Sequence, residues 1–203
     1  MFPIRIGEDI RRVCHHRLTD RAPKLRLASS QEGERVSDPK ADRPLMPAGY
    51  GVPETTDGVL AWELVERRLI EANHYWVATT RPDGRPHVVP RWGVWTRDAF
   101  WYDGSPDTVH VRNLVNDPRM ILHLESGEHA VVLEGTAAPS APLDADFGRH
   151  LSDFFGVKYG PRGYTPQPDA WSGPDAGGLV VFRPQKALAW FEFPTDVTRF
   201  RFS

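Results

Sequence analysis

The sequence has almost no cysteine, since Cys14 is the only one among 203 residues. A single cysteine cannot form an internal disulfide bond, and so nothing in the chain indicates an oxidising compartment. Cys14 is followed by His15 and His16, but three adjacent residues lack the spaced geometry of a zinc site. We therefore expect neither a disulfide framework nor a metal centre.

An excess of positive charge is also missing. The formal net charge is -2, whereas nucleic-acid-binding proteins are usually basic. No apolar run approaches the roughly 18 residues needed to cross a bilayer, and the first residues lack the apolar segment of a signal peptide. We expect a cytoplasmic protein that binds neither nucleic acid nor membranes, with hydrophobic content of 40% sufficient for a core.

The common catalytic motifs are absent as well. No P-loop, G-x-G-x-x-G, H-E-x-x-H, C-x-x-C or G-x-S-x-G pattern occurs in a structural context that would confirm it. His123 and His129 flank a predicted hairpin turn and are interpreted as surface or sheet histidines rather than as a metal pair. No residue is assigned as a catalytic acid, base or nucleophile.

Residues 1–53 differ from the rest of the chain, because arginines alternate with acidic residues and prolines interrupt the segment repeatedly. Without a periodic apolar face, such a segment cannot bury enough surface to offset the entropy of ordering. We predict a largely disordered extension, with order beginning near Thr55, and little loss of stability when residues 1–45 are removed. Met46 is a second candidate for the native start.

A folded domain is expected over residues 54–203. Apolar residues at helical spacing predict a first helix at Asp57–Ala72. β-forming residues at Tyr75–Thr79 and His87–Trp95 predict a strand pair, which the turn Pro82–Gly84 joins.

The remaining elements are short and follow one another closely. Strands are predicted at Ala99–Tyr102, Met120–Glu125, His129–Ala138, Leu179–Arg183, Ala187–Phe193 and Thr198–Phe202, and helices from near Val111 to before Pro118 and at Pro142–Phe155. Glu134 and Gly135 indicate a β-bulge. Seven or eight strands without strand–helix alternation favour a mainly β, α+β fold, an antiparallel barrel with helices at its ends.

Two stretches are candidates for binding a ligand. Pro90 donates no ladder hydrogen bond, which places it either at an ordinary sheet edge or where a ligand meets the sheet. The glycine- and proline-rich segment Gly156–Gly178 is long enough to be a lid or a binding wall. Its aromatic residues Tyr159, Tyr164 and Trp171 either line a substrate pocket or pack the loop.

The start of the helix near Val111 is a candidate phosphate site. Free backbone N–H groups and the positive end of the helix dipole favour an anion there. Thr108 would add a hydroxyl, Arg112 a permanent charge and His110 a charge that depends on pH, with Asn113 in the first turn. The alternative is a capped surface helix whose arginine forms an ion pair.

Three segments resemble the pyridoxamine 5′-phosphate oxidase-like split-barrel flavoproteins. They are TTRPDGRPHVVPRWGVW, SPDTVHVRNLVNDPRMILHLESGEHAVVLEGTA, and the ending LAWFEFP with TRFRF. The resemblance covers roughly Pro47 to Phe202. It is strongest to the actinobacterial branch that uses the deazaflavin coenzyme F-420 in place of FMN.

The resemblance implies a split β-barrel homodimer with two cofactor sites at the subunit interface. Val89, Pro90, Arg91 and Trp92 would lie along the cofactor ring, and Thr108, His110, Arg112 and Asn113 would bind its phosphate. Many relatives carry lysine at the position of His110. Trp190, in the segment Ala189–Pro194, would come from the partner subunit and close the site.

The function implied is hydride transfer between coenzyme F-420 and a small organic substrate. Two alternatives stay open: an FMN-dependent oxidase or reductase, and a non-catalytic flavin- or haem-binding protein of the same fold. The protein would orient the ring and exclude water while the cofactor supplies the chemistry.

Overall fold

A computed structural model describes residues 38–174 and 176–203 as a single antiparallel sheet with three α-helices. The strands are β1 Lys40–Asp42, β2 Tyr75–Thr80, β3 Pro86–Arg91, β4 Val94–Thr96, β5 Ala99–Asp103, β6 Arg119–His123, β7 Ala130–Pro139, β8 Leu179–Trp190 and β9 Thr198–Arg201. The helices are α1 Trp62–Glu71, α2 Val109–Asn116 and α3 Ala145–Tyr159. Among these residues no helix is long and apolar enough to cross a membrane.

The sheet runs in the order β1-β9-β8-β7-β6-β2-β3, and it divides at β8. The first part of β8 pairs with β5, at Leu179–Phe182, and the later part pairs with β9, at Lys186–Ala189. β7 pairs with β8 along nearly its whole length. This division of one antiparallel sheet into two branches confirms the predicted split-barrel, α+β fold.

The predicted bulge lies where the sheet divides. The register between β7 and β8 shifts at Glu134 and Gly135, opposite the point where β8 changes its second partner. A Cβ atom at Gly135 would overlap the Arg183 carbonyl of β8, so only glycine fits this close approach. The bulge is therefore confirmed.

The strand predicted at His87–Trp95 is two strands. β3 pairs with β2 as far as Arg91, and β4 pairs with β5 from Val94 onwards. Between them, a side chain at Gly93 would overlap the Phe100 ring and the Trp101 carbonyl. Close packing on β5 thus turns the chain from one strand partner to another at Trp92 and Gly93.

Three other boundaries also differ from the predictions. Gly58 has a left-handed φ of 72° and Leu60 donates its N–H to the Thr198 hydroxyl, so α1 begins only at Trp62. The predicted strands at Leu179–Arg183 and Ala187–Phe193 form the single strand β8, because Pro184 lies opposite the bulge. α3 continues through residues 156–159, which shortens the predicted loop.

The expectation that order begins near Thr55 is wrong for the residues just before it. β1 pairs with β9 through residues 40–42, and the Asp42 carboxylate accepts hydrogen bonds from Arg199 at 2.8 and 3.0 Å and forms an ion pair with Arg201 at 2.7 Å. Arg43 donates to the Thr55 and Val197 carbonyls. Removing residues 1–45 would thus delete a strand. Residues 1–37, including Cys14 to His16, lie outside the described residues.

Two apolar clusters fill the structure on either side of β4 and β5. The first lies inside the barrel around Trp62, Tyr75 and Phe100. The second lies between the sheet and α3, where Trp101 packs edge-on against Phe147 at 4.9 Å. Because the second cluster fixes α3 on the sheet, it also fixes the segment that follows α3.

Candidate functional site

A cavity of about 520 Å³ opens at the point where β3 leaves the sheet. Three parts of the chain form its walls: the end of β3 with Trp92, the end of β5 with the turn after it, and α3 with the following loop. The lining residues are Pro90, Arg91, Trp92, Asp103, Gly104, Ser105, Phe155, Tyr164 and Gly177. The cavity therefore combines aromatic walls with one carboxylate and one guanidinium.

Basic side chains continue from this cavity along β3. The alternating exposure of β3 turns His87, Val89 and Arg91 inward, toward α2. Arg81 Nη2 lies 3.2 Å from His87 Nδ1. Burial, followed by the nearby Arg81 charge, lowers the pKa of His87. His87 and Arg91 both act electrostatically on His110 of α2, and so these four residues form one basic cluster.

Arg91 connects the basic cluster with the cavity. Its Nη2 atom donates a hydrogen bond to the backbone carbonyl of Asp103, and its guanidinium lies 5.7 Å from the centre of the Tyr102 ring. A Cβ atom at Gly104 would lie 3.0 Å from Arg91 Nη2 and 3.7 Å from His110 Nε2. The absence of a side chain at Gly104 lets the guanidinium and the imidazole approach each other.

Two polar atoms here are buried without a hydrogen-bond partner in the described structure, Arg91 Nε and Tyr102 Oη. A buried donor without a partner costs about 1–3 kcal/mol, so native structures seldom leave two side by side. Both are donors, and Tyr102 stays protonated because burial raises its pKa. The arrangement fits a bound group that offers oxygen acceptors, such as a phosphate or a ring carbonyl.

The basic cluster also lacks compensating acids. Within residues 38–174 and 176–203, no carboxylate oxygen lies within 4.0 Å of the guanidinium groups of Arg81, Arg91 or Arg112. By contrast, Arg85 and Arg119 both pair with a neighbouring aspartate. An uncompensated cluster attracts an anion.

The predicted phosphate residues at the start of α2 lie close together in the chain but face different ways. The Thr108 hydroxyl donates to the Ser105 carbonyl at 2.8 Å and lies 3.5 Å from His110 Nε2. Arg112 is exposed, and its Nη1 atom donates to the Asp107 carbonyl at 2.7 Å. Asn113 is buried and donates to the Thr79 hydroxyl at 3.0 Å. Thr108 thus lies beside His110 of the basic cluster, whereas Asn113 joins α2 to β2.

The pH-dependent charge predicted for His110 stays a prediction for the anion-bound site, and the surroundings of this residue oppose the charge when no anion is bound. Burial, followed by the Arg91 and His87 charges, lowers the pKa of His110 to about 4. Its imidazole is 3% exposed and therefore neutral at physiological pH. Without a bound anion, His110 acts as a hydrogen-bonding group, and the permanent charge of the cluster belongs to the arginines.

Residues predicted to lie along the cofactor ring occupy the cavity wall and its support. Pro90 and Trp92 line the cavity, and Val89 packs against the barrel core behind them. Pro90 lies on β3, the last strand of the sheet path, which agrees with the interpretation as a sheet-edge proline, while a ligand contact at Pro90 stays a prediction. The Trp92 ring stacks on Tyr159 at 4.9 Å.

Of the aromatic residues predicted to form a pocket wall, the structure brings Tyr164 to the cavity. Tyr159 and Trp171 are 0% and 1% exposed and pack α3 on the sheet. Trp190 lies elsewhere, in a separate cleft that it lines with Phe193, Gly127 and Glu128. Within one chain, Trp190 and the Pro90 cavity share no lining residue.

Sequence reasoning missed Arg81, His87, Tyr102 and Asp103. A signal for His87 was present, because it shares the two-residue period of Arg91 in β3 and therefore the same face. Tyr102 and Asp103 could not be found in this way, since their place beside Arg91 depends on the pairing of β5 with β8. In the described part of the chain, no three potential metal ligands come together.

Comparison with known proteins adds the family to this geometry. A family model described as pyridoxamine 5′-phosphate oxidase matches residues 61–191, which is more than half of the 203-residue chain. The chain belongs to the pyridoxamine 5′-phosphate oxidase family. No curated protein matches it.

Solved structures similar to this member of the pyridoxamine 5′-phosphate oxidase family include three with informative names. The conserved hypothetical protein Rv2991 from Mycobacterium tuberculosis has a TM-score of 0.51 and 21% identity, covering 67% of this chain and 88% of its own. An F420 reductase has a TM-score of 0.42 and 20% identity, covering 60% and 94%. HutZ, the haem storage protein from Vibrio cholerae, has a TM-score of 0.46 and 20% identity, covering 62% and 90%. The first supports the fold, and the two lower scores carry no argument about function.

Proposed function

We propose that this protein is a flavin- or deazaflavin-dependent oxidoreductase, with coenzyme F-420 as the favoured cofactor and a small organic molecule as the substrate. The observation that carries the proposal is the uncompensated basic cluster of Arg81, His87, Arg91 and His110 beside an aromatic-walled cavity. A planar cofactor with an anionic tail needs both features next to each other.

Arg91 is the residue on which the cofactor site depends most. A guanidinium stays protonated at any working pH, and it binds phosphate oxygens through a planar fork of donors. Its Nη2 atom is engaged by the Asp103 carbonyl, while its Nε atom has no described partner. Binding an oxygen acceptor there would remove the cost of the buried free donor.

When bound, the cofactor supplies the hydride chemistry. Trp92, held by stacking on Tyr159, would orient the ring against the cavity wall. Pro90 offers no N–H group and keeps the adjoining edge apolar. Phe155 and Tyr164 close the far side of the cavity and limit access of water. No side chain in the cavity is assigned to proton transfer.

We also propose a homodimer. Asp103 of the cavity pairs with Leu179 at one end of β8, whereas Trp190 lies at the other end, and eleven strand residues at about 3.3 Å each put the two positions roughly 36 Å apart along β8. A cofactor ring bound at β3 can therefore contact Trp190 only if that Trp190 belongs to a second chain. Val88 and Ile121 leave 47% and 40% of their area exposed on the outer sheet face near Pro90. Light scattering should give twice the 23.0 kDa chain mass, and a monomer mass would refute the dimer.

The cofactor is tested by titrating the purified protein with coenzyme F-420, FMN and haemin in parallel, following fluorescence for the flavins and absorbance for haemin. The preference for F-420 rests on the sequence motifs, and so we expect F-420 to bind most tightly. Tight FMN binding without a response to F-420 would replace the deazaflavin assignment. Binding of haemin alone would replace the oxidoreductase assignment.

The basic cluster is tested by comparing Arg91→Gln with Arg112→Gln. Charge-assisted hydrogen bonds contribute about 1.5–3 kcal/mol, so Arg91→Gln should weaken cofactor binding roughly tenfold to a hundredfold. Arg112 is equally uncompensated but exposed and tied to its own turn, which makes it a matched control with a smaller effect. If Arg112→Gln has the larger effect, the phosphate lies at the start of α2, as the sequence pattern suggested.

A further inference from the structure

The cavity contains an acceptor that the cofactor proposal does not use. Asp103 lies at the end of β5 and is one of the residues that line the cavity. One carboxylate oxygen, Oδ2, accepts a hydrogen bond of 2.6 Å from the Tyr164 hydroxyl. In the described structure no group donates to the other oxygen, Oδ1, and no cation lies within 4.0 Å of the carboxylate.

Tyr164 fixes this carboxylate in place. Burial, followed by the bond to Asp103, raises the pKa of Tyr164. The phenol therefore stays protonated and donates its hydrogen bond, and it does not compete with the Asp103 carboxylate for the N–H groups of a ligand. The loop that carries Tyr164 is itself anchored on α3, through bonds from Tyr164 N to the Tyr159 carbonyl and from the Ser152 hydroxyl to the Pro166 carbonyl. The acceptor is therefore presented by a fixed wall.

Three aromatic rings surround this acceptor and fix the shape of what can reach it. Tyr164 lies 6.2 Å from the Trp92 ring and 5.7 Å from the Phe155 ring. The rings are inclined to one another by 58° and 79° and contact one another tilted or edge to face, so they form one continuous aromatic wall beside the carboxylate. An aromatic molecule can pack against this wall while its polar edge faces the carboxylate.

We propose that Asp103 is the specificity-determining residue for the substrate that shares this cavity with the cofactor ring, and that it selects aromatic molecules that carry an N–H donor or a delocalised cation at one edge. The ligand's role as substrate rests on the oxidoreductase function proposed above. Among the described residues, Arg91 is the one cation that lines the cavity, and it belongs to the basic cluster, where its Nη2 atom is already engaged. Asp103 is left to bind the substrate.

The test uses three probes of one shape and different edge chemistry: benzamidine, which is a cation, neutral benzamide, and anionic benzoate. Dissociation constants are measured by ligand-observed NMR on protein free of cofactor in phosphate buffer, so that inorganic phosphate occupies the basic cluster and benzoate reports on the cavity. We expect benzamidine to bind most tightly and benzoate least. Benzoate binding most tightly would overturn the proposal and make Arg91 the recognition group.

Asp103→Asn keeps an acceptor for the Tyr164 hydroxyl while removing the charge. It should weaken benzamidine binding about tenfold or more, because a charge-assisted hydrogen bond is lost, and leave benzamide within about twofold. Asp107→Asn removes an equal charge from the neighbouring turn, outside the cavity, and should leave all three probes unchanged. Equal losses of benzamidine affinity in both variants would mean that the negative charge acts only through a general electrostatic field. That result would refute the proposal.

Tyr164→Phe gives an independent answer if Asp103→Asn fails to fold. It releases the carboxylate from its fixed position but keeps its charge, and so benzamidine should still bind more tightly than benzamide. Loss of that preference would refute the proposal. Because these probes are titrated without cofactor, their selectivity can fail while F-420 or FMN still binds. If the probes show the expected selectivity but neither F-420 nor FMN binds, the cavity still binds such molecules and the oxidoreductase assignment is removed.

Discussion

The two sides of Trp92 differ in how their polar groups are satisfied. On the cavity side, Arg91 Nε and Asp103 Oδ1 have no partner in the described structure. On the opposite side, the Tyr159 hydroxyl lies 2.9 Å from Gly93 N and 2.8 Å from the Gly93 carbonyl. Unused donors and acceptors therefore mark the side that receives a ligand, and completed bonds mark the side that supports it.

The supporting side also holds a partly buried lysine. Lys158 Nζ donates to the Tyr75 hydroxyl at 2.7 Å and to the Gly93 carbonyl at 3.3 Å. Burial lowers the pKa of Lys158 to about 7, since no described carboxylate lies within 4.0 Å of it. The peptide that follows Trp92 is thus held by two side chains from the end of α3.

Gly93→Ala changes the residue that follows Trp92, on the supporting side, and should have the largest effect on stability. The added methyl group would overlap the Phe100 ring and the Trp101 carbonyl, neither of which can move freely. We expect a loss of about 3 kcal/mol or more in the free energy of unfolding, measured by urea denaturation. Gly84→Ala, at an exposed turn, is the control that shows the cost of a strained backbone conformation without steric overlap. A stable Gly93→Ala would show that the support side tolerates repacking.

Tyr159→Phe and Tyr164→Phe compare the two sides by the same chemical change. Tyr159→Phe leaves the buried Gly93 N–H group without its partner and should cost about 2–3 kcal/mol. Tyr164→Phe removes one bond to a carboxylate that water in the cavity can reach, and should cost under about 1 kcal/mol. Thermal or urea unfolding measures both, and equal losses would contradict the distinction between the sides.

Lys158→Met should act mainly on the pH dependence of stability. Lys158 has a folded pKa of about 7 against an ordinary value of 10.5, so between these values the unfolded chain holds a proton that the folded chain lacks. Its contribution therefore makes stability rise as pH rises from about 7 to 10.5. The variant should show a shallower rise in the urea midpoint over this range, whereas exposed Lys186→Met should keep the parent slope.

The sequence patterns located local features of the structure well. The β2–β3 hairpin, the bulge at Gly135 and the short helix before Pro118 each depend on neighbouring residues, and all three are present. The alternation of β3 also contained the information that His87 and Arg91 share a face. In these cases the period of the sequence and the local backbone chemistry were sufficient.

The candidate site itself depended on contacts between distant residues. Tyr164 reaches Asp103 across 61 positions, and no periodicity connects them. The break at Gly93 was missed because its cause lies on β5, and the neutrality of His110 follows from burial that composition cannot show. β1 was missed because its three residues gain their order from the ion pairs of Asp42 with β9.

The twelve-residue strand β8 has a consequence for how the chain is made. β5, β7 and β9 all pair with it, yet β5 and β7 precede it in synthesis by many residues. Until β8 emerges, β5 and β7 each present an unpaired edge, where growing chains can associate. Pairings at such sequence separations also slow folding. Yield of the native protein should therefore depend on how quickly β8 follows β7 during translation, and slower synthesis through residues 140–178 would lengthen the period in which both edges are open.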